Sequence, residues 1–311
     1  MSKFRRLFRA FGYLCGTLLL FGLTNLASSA AYRAPAPPPP AAVEVEADAE
    51  EAPAVGGAAP SPGGYMLAAK PEPEPELPAA GKPAYDELTV SERRQAGLPT
   101  ALPVVMPYYG ERTVYLTFDD GPDPDVTPAV LAILRQEAVK GTFFVVGTQV
   151  EKAPDTLRQI YGEGHAIGNH SYNHVYRELY RSPVAYIGQL NRTDYIIKSV
   201  IGVRPLVSRA PGGSAGSFTS AYWEELKKAG YTEAGWNIYC GDASRAKAAD
   251  LVATVADQLE QRPFLWSHAI VLLHDGRGHE ETAKALPAII RLFKDRGFEF
   301  RVVNLETPPA W

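Results

Sequence analysis

The stretch Val114–Asp125, VYLTFDDGPDPD, sets a run of strand-forming residues directly against two adjacent carboxylates, Asp119 and Asp120. A Gly-Pro turn follows at once, then two more aspartates. Valine, tyrosine, threonine and phenylalanine favour a pleated, buried strand. On a regular strand, neighbouring side chains point to opposite faces. Here the strand is ending, and Gly121-Pro122 bends the chain, so both carboxylates can serve one site. One can bind a metal while the other stays free as a general base. The alternative makes both aspartates caps of the turn or of a helix starting at Thr127. That accounts for Asp123 and Asp125 better than for Asp119 and Asp120.

Working outward, strands alternate with helical segments over some 200 residues. TPAVLAILRQEAV, SPVAYIGQLNRTDYIIKSVIG and EETAKALPAIIRLFKDRG have helical apolar spacing, the first opening on a Thr-Pro pair suited to a helix start. GTFFVVG, YTEAGWNIY, AIVLLHDG and FEFRVVNL read as strands. About seven such β/α pairs imply a mainly parallel sheet with helices outside. A closed or nearly closed barrel fits, and an open doubly wound sheet is the competitor.

The unusual polar clusters fall at strand ends, where parallel barrels place their chemistry. His170-Ser-Tyr-Asn-His174 follows the third strand; on a helical segment its two histidines would share one face, close enough to share a metal. Asp119 or Asp120 would complete a three-ligand site with open positions, the pattern of catalytic rather than structural zinc. His274 ends the most apolar strand and reads as a general acid, with Asp242 placed to support its protonated form. Arg209, in SRAPGG, can pair with the free aspartate and keep it ionised. His165 and His268 read as structural, while His279 can reach the rim.

The rest of the chain sets the context. It has 311 residues and a formal net charge of -4. Lys3, Arg5, Arg6 and Arg9, an apolar run from Ala10 to about Leu26, and small residues at 27–31 read as an export signal. Cleavage and a retained anchor both remain open, and either takes the chain out of the cytoplasm. Residues 32–103 read as a disordered Pro/Glu/Ala-rich linker, with YDELTVSERRQAGLP as one helix leading into the domain at 104–311. About fifty Pro-rich residues at roughly 3.1 Å each could carry that domain ~150 Å from a membrane. Residues 31–80 carry eight acidic residues against Arg33 and Lys70, so the remainder is nearly neutral and has no basic nucleic-acid footprint. Cys15 lies in the leader, which leaves Cys240 alone as a packed residue.

With TFDDGP, GNHSYNH, RAPGG, WNIYCGDA and IVLLHD in this order, residues 108–305 resemble the NodB-like polysaccharide deacetylases, carbohydrate esterase family four. The resemblance implies a distorted (β/α) barrel of about seven strands. It makes Asp119 the base, Asp120, His170 and His174 the metal ligands, Arg209 the residue orienting the base, and Asp242 the partner of the acid His274. It also implies an acetyl pocket at Leu272, and substrate contacts at Gly212, Gly213 and Trp236. The expected cofactor is a divalent metal, zinc with cobalt or another ion as alternatives. The expected partner is an N-acetylated glycan, peptidoglycan above chitin-like oligomers, xylan or exopolysaccharide, acted on by a monomer. Where many members have Trp, Ala243 stands here, and Gly212-Gly213 replaces a bulky aromatic, so a reshaped groove is expected. A glycan-binding wall protein without catalysis is the reading from another class.

Overall fold

The structure is a computed structural model and describes residues 81–310 except Arg245. The export segment and residues 32–80 of the linker lie outside the described residues. In chain order the elements are β1 (Tyr85–Asp86), α1 (Val90–Gln95), β2 (Thr113–Asp119), α2 (Val126–Gln136), β3 (Thr142–Val145), α3 (Gly147–Lys152) and α4 (Pro154–Gly162). Then come β4 (Ala166–Asn169), α5 (Tyr176–Leu179), α6 (Pro183–Ile201), β5 (Arg204–Pro205), β6 (Val207–Ser208), α7 (Ser220–Lys228), β7 (Thr232–Glu233) and β8 (Ile238–Tyr239). The last are α8 (Ala248–Gln261), a 3-10 turn (Pro263–Trp266), β9 (Ala269–His274), α9 (Glu280–Lys294) and β10 (Glu299–Arg301).

Seven parallel strands run in the order β7-β6-β4-β3-β2-β9-β8 as a curled half-barrel. β10 adds to β2 beside Thr113–Tyr115, and β3 takes the same edge from Thr117 to Asp119. The strand expected over YTEAGWNIY is split into β7 and β8, and the intervening Ala234–Asn237 spans the seam. There Asn237 pairs with Ile270 in both directions, N–H to carbonyl and side-chain oxygen to N–H.

β2 is buried on both faces. Val114, Leu116 and Phe118 join the large core beneath the helices, with Val130, Leu131 and Leu134 of α2. Tyr115 faces the smaller inner cluster with Phe144, Val207 and Ile270. Alternation therefore puts Tyr115, Thr117 and Asp119 on the inner face. Cys240 packs in the large core. α6 starts where the Ser182 hydroxyl accepts the Ala185 N–H and ends at Gly202, whose φ of +85° closes the helix. α2 begins at Val126 rather than Thr127–Pro128. Its opening N–H group is met by Asp123 Oδ1, and Thr127 turns to other work.

The folded body also takes in residues that composition assigns to the linker. β1 pairs with β5, and Val90 of α1 is buried. Asp86 accepts from Arg93 (2.5 and 3.0 Å) and from the fully buried Arg204 (3.3 Å). Thr89 and Glu92 close a capping box. This segment is held by ion pairs and caps rather than apolar mass, which is why a composition reading passes over it.

Candidate active site

Strand register sets the site. Asp119 lies opposite both Phe144 and His274, and Asn169 lies opposite both Val145 and Ser208. The strands therefore end at one level, and the next residue of each delivers a functional group: Asp120 after β2, His170 after β4, Arg209 after β6.

Asp119 is 3% exposed. Arg209 Nη1 donates to its Oδ1 at 2.9 Å, and the same nitrogen donates to Thr117 Oγ1 at 2.7 Å. Arg209 is fully buried; its Nε and Nη2 donate to the carbonyls of Ala234 and Gly235, and Phe144 lies flat beneath it at 4.1 Å. Burial pushes the Asp119 pKa up, with Arg209 and His274 opposing. The result is a fixed carboxylate of raised basicity, with Oδ2 left toward the site.

Asp120 breaks the strand's alternation. Its φ is +76°, a left-handed conformation that swings its side chain to the same side as Asp119. The Oδ1 atom lies 3.3 Å from His174 Nε2 and 3.6 Å from His170 Nε2. Asp275 braces the turn. Its N–H donates to the Asp119 carbonyl (3.0 Å), its carboxylate accepts from Thr127 Oγ1 (2.6 Å), and it packs so close to Gly121 that a Cβ there would clash.

The two histidines are brought together by a loop, not by the helix face that an i, i+4 spacing suggests. Ser171 and His174 take positive φ (71° and 57°), Asn169 Oδ1 accepts the Ser171 N–H, and Ser171 Oγ accepts the His174 N–H. His170 Nδ1 lies 2.8 Å from the Arg209 carbonyl, which can only accept, so Nδ1 carries the proton and Nε2 faces Asp120 as a lone pair. Burial holds the His170 pKa at about 3, so the imidazole is neutral, as a metal ligand requires.

The donor atoms of Asp120, His170 and His174 lie within 4.8 Å of one another, and the buried Asp120 Oδ1 has no hydrogen-bond partner. An orphaned, buried anionic oxygen facing two imidazole nitrogens fits a divalent cation. Asp242, His274 and His279 are equally close, but Asp242 and His274 are committed to each other. Asp242 Oδ1 is 2.8 Å from His274 Nδ1, while its Oδ2 accepts from the His274 N–H (2.8 Å) and Thr282 Oγ1 (2.7 Å). Burial opposes the charge on His274, but the Asp242 bond and the charges of Asp119 and Asp120 outweigh it and raise the pKa to about 9. Burial likewise opposes the Asp242 charge, yet its hydrogen bonds hold that carboxyl below its ordinary range. His279 stacks on the His274 ring at 4.9 Å.

Leu272 shares the inner face with His274, two residues earlier on β9, and is partly exposed toward the site. Gly212 and Gly213 both have positive φ (72° and 88°). The groove they were expected to open is lined by rings from elsewhere: Tyr176 lies over Gly212 and edge-on to His174, and Trp236 lies over Gly213. The Gly213 N–H donates to the Ala210 carbonyl at 2.8 Å, so of the two glycine amides only that of Gly212 is open for an oxyanion. Ala243 is exposed and leaves its stretch of rim low. His165, fully buried and accepting the Gly141 N–H, and His268, bonded at Ser267 and Pro309, are structural, as read from sequence.

Asp275, Tyr176 and Glu233 escape a motif reading. Glu233 Oε1 accepts the Ala210 N–H (2.6 Å) and Oε2 accepts from Ser208 Oγ (3.0 Å), tying down both neighbours of Arg209; burial raises its pKa to about 8. The carboxylate inside the apolar YTEAGW was its one sequence signal.

The chain is similar to several known proteins. Residues 108–234 match the family model described as polysaccharide deacetylase. A peptidoglycan-N-acetylglucosamine deacetylase of Bacillus cereus is 34% identical over 195 residues, covering 62% of this chain and 87% of the relative. A chitooligosaccharide deacetylase of Bradyrhizobium is 35% identical over 204 residues, covering 61% and 88%. Among solved structures, a Streptococcus mutans CE4 esterase superposes with a TM-score of 0.58 at 34% identity, covering 63% of this chain and 87% of that one. A curled parallel sheet with carboxylates, histidines and an arginine gathered at its carboxyl rim, in a chain this similar to known deacetylases, defines a glycan-deacetylating hydrolase. The chain belongs to the polysaccharide deacetylase family.

Proposed function

We propose that the protein removes N-acetyl groups from a cell-wall glycan, the N-acetylglucosamine of peptidoglycan, releasing acetate and a free amino sugar. The observation that carries this is the pairing of two opposed proton carriers across one three-ligand cluster. Asp119 is held by Arg209, and His274 is held by Asp242.

Asp120, His170 and His174 would hold a divalent cation, zinc by the preference of one carboxylate and two imidazoles, with cobalt also suited. When bound, such a cation supplies Lewis acidity, polarising a carbonyl oxygen and easing the deprotonation of water. Asp119 Oδ2 takes the proton from the attacking water as its oxygen bonds to the acetyl carbon. The Gly212 N–H faces the developing oxyanion, and Leu272 receives the methyl group. His274 Nε2 gives its proton to the leaving nitrogen as the C–N bond breaks. Asp242 keeps Nδ1 paired, so the proton to be delivered is on Nε2.

An export segment at residues 1–31, as the sequence reads, would carry this activity outside the cytoplasm, with the linker as a tether if the segment is retained; among the described residues no helix is long and apolar enough to cross a membrane. The protein acts as a monomer in this reading. Deacetylation of chitooligosaccharide is the second reading, favoured by the Bradyrhizobium relative. Acetate release by the purified domain from peptidoglycan and from chitooligosaccharide, with zinc or cobalt supplied, tests both. No acetate from any N-acetylated glycan would overturn the assignment.

A further inference from the structure

One flank of the site remains without a role in the chemistry above. Beside Asp120 and His174 a cavity of about 280 Å³ opens between the start of α3 and the loop after β9. Thr148, Gln149, Asn173, Arg277 and His279 contribute to its wall, so nearly every group facing it can form hydrogen bonds. His279 Nδ1 has no hydrogen-bond partner. Arg277 is exposed, between Gly276 and Gly278. The ion pairs around it join Asp242 to His274 and His279, and Glu281 to Lys284 and Lys247; none among the described residues includes Arg277, and Glu280 stands exposed nearby.

The one acidic residue on the wall, Asp120, belongs to the cation-binding set. With a divalent cation there, the cavity wall has a positive balance: the cation would offset Asp120, its one acidic residue, and Arg277 forms no ion pair. A sugar hydroxyl would accept only a single neutral hydrogen bond from the guanidinium. A carboxylate would meet it in paired, charge-assisted hydrogen bonds, the geometry that favours arginine over lysine.

We propose that this cavity is a subsite for a carboxylate carried by the glycan next to the reacting acetamido group, with Arg277 as its anchor. The inference rests on the deacetylase reading and narrows its substrate to an acidic glycan. Because the cavity touches Asp120 and His174, its occupant belongs to the reacting sugar or its immediate neighbour. In peptidoglycan that carboxylate has two sources, the lactyl ether of a muramic-type sugar and the peptide attached to it.

The test compares wild-type protein with Arg277→Ala and Arg277→Lys on three substrates: peptide-bearing peptidoglycan strands, peptide-free strands with free lactyl carboxylates, and chitotetraose. In wild type, kcat/KM for the acidic strands relative to chitotetraose should fall as salt is raised. In R277A that preference should drop about tenfold through KM and lose its salt dependence, with R277K in between. A drop confined to peptide-free strands assigns the lactyl group, and one confined to peptide-bearing strands assigns the peptide; either supports the subsite. An unchanged preference, or equal losses on all three substrates, overturns it. Calorimetric binding of peptide-free and of peptide-bearing strands to the Asp119→Asn protein, with and without R277A, separates the two levels. Binding that needs Arg277 while wild type releases no acetate sinks the deacetylase reading and leaves the subsite standing. Binding of both strand types indifferent to Arg277 sinks the subsite alone.

Discussion

Arg209 holds Asp119 from below. Its Nη1 lies 2.9 Å from Asp119 Oδ1, and both side chains are all but sealed from solvent. The guanidinium is itself fixed by Thr117 and two backbone carbonyls, so the carboxylate has one direction in which to act.

Asp119→Asn keeps the shape and removes the basic oxygen. Turnover should fall by about 10²–10⁴-fold, the usual worth of a positioned base, while bound metal, measured by elemental analysis, stays at the wild-type level. His174→Ala should lose both metal and turnover. If D119N also loses its metal, Asp119 is a ligand and the division of labour between the two aspartates is wrong.

Arg209→Ala leaves Asp119 buried without its partner. Breaking a buried pair in this way costs about 3–5 kcal/mol, so urea unfolding should shift strongly. Arg209→Lys restores the charge but not the fork that reaches Ala234 and Gly235, and should recover stability better than kcat. A melting curve for R209A within experimental error of wild type would refute the account.

Asp242→Asn should move the alkaline limb of the rate profile. His274 acts as an acid, so activity is present while it is protonated and is lost as pH rises through its pKa of about 9. A bound cation screens Asp120 and sets the limb of the loaded enzyme somewhat below that. Removing the Asp242 charge lowers the His274 pKa, so the limb shifts to lower pH, toward the ordinary value of about 6.5. The same raised pKa stabilises the fold fully below about pH 6.5 and progressively less as pH rises toward 9. A limb that stays in place in D242N would remove His274 from the role of acid.

Deleting residues through Gln95 should destabilise the domain by at least about 2 kcal/mol, because buried donors of Arg204 lose their acceptors. Those acceptors are Asp86 and the Leu88 carbonyl, and the buried Val90 is lost as well. Thermal melting of the truncated and full domains decides it; equal midpoints would make β1 and α1 a dispensable lead-in.

Gly212→Ala puts a Cβ 2.8 Å from the Tyr176 hydroxyl at a backbone φ of 72°. The substitution should displace Tyr176 and strain the backbone that carries the oxyanion-facing N–H, so KM for glycan should rise and kcat should fall with it. An unaltered KM would show that the Tyr176 ring does not border the glycan path.

The sequence carried the strand ends well, since VYLTF, AIVLL and their polar followers combine period and composition in a few residues. It carried the seam poorly: YTEAGWNIY has strand-forming residues throughout, and only tertiary contacts from Arg209 and Ile270 split it. The histidine pair was found by the wrong geometry, as an i, i+4 spacing does not reveal that Asn169 and Ser171 fold the segment into a loop. Asp275 and Tyr176 were hidden because their roles depend on Gly121 and Gly212, distant in sequence, having no side chain to obstruct them.

Asp120, Ser171 and His174 share a further consequence. Each holds a left-handed backbone at a cost of about 1–2 kcal/mol, and two of them are proposed cation ligands. Folding, rather than binding, therefore does the work of shaping the cluster. The cation and the rest of the domain are then two ends of one lever. Weakening the core far from the rim would first be felt as a looser grip on the ion. Loading the ion would in turn firm up strands it never touches.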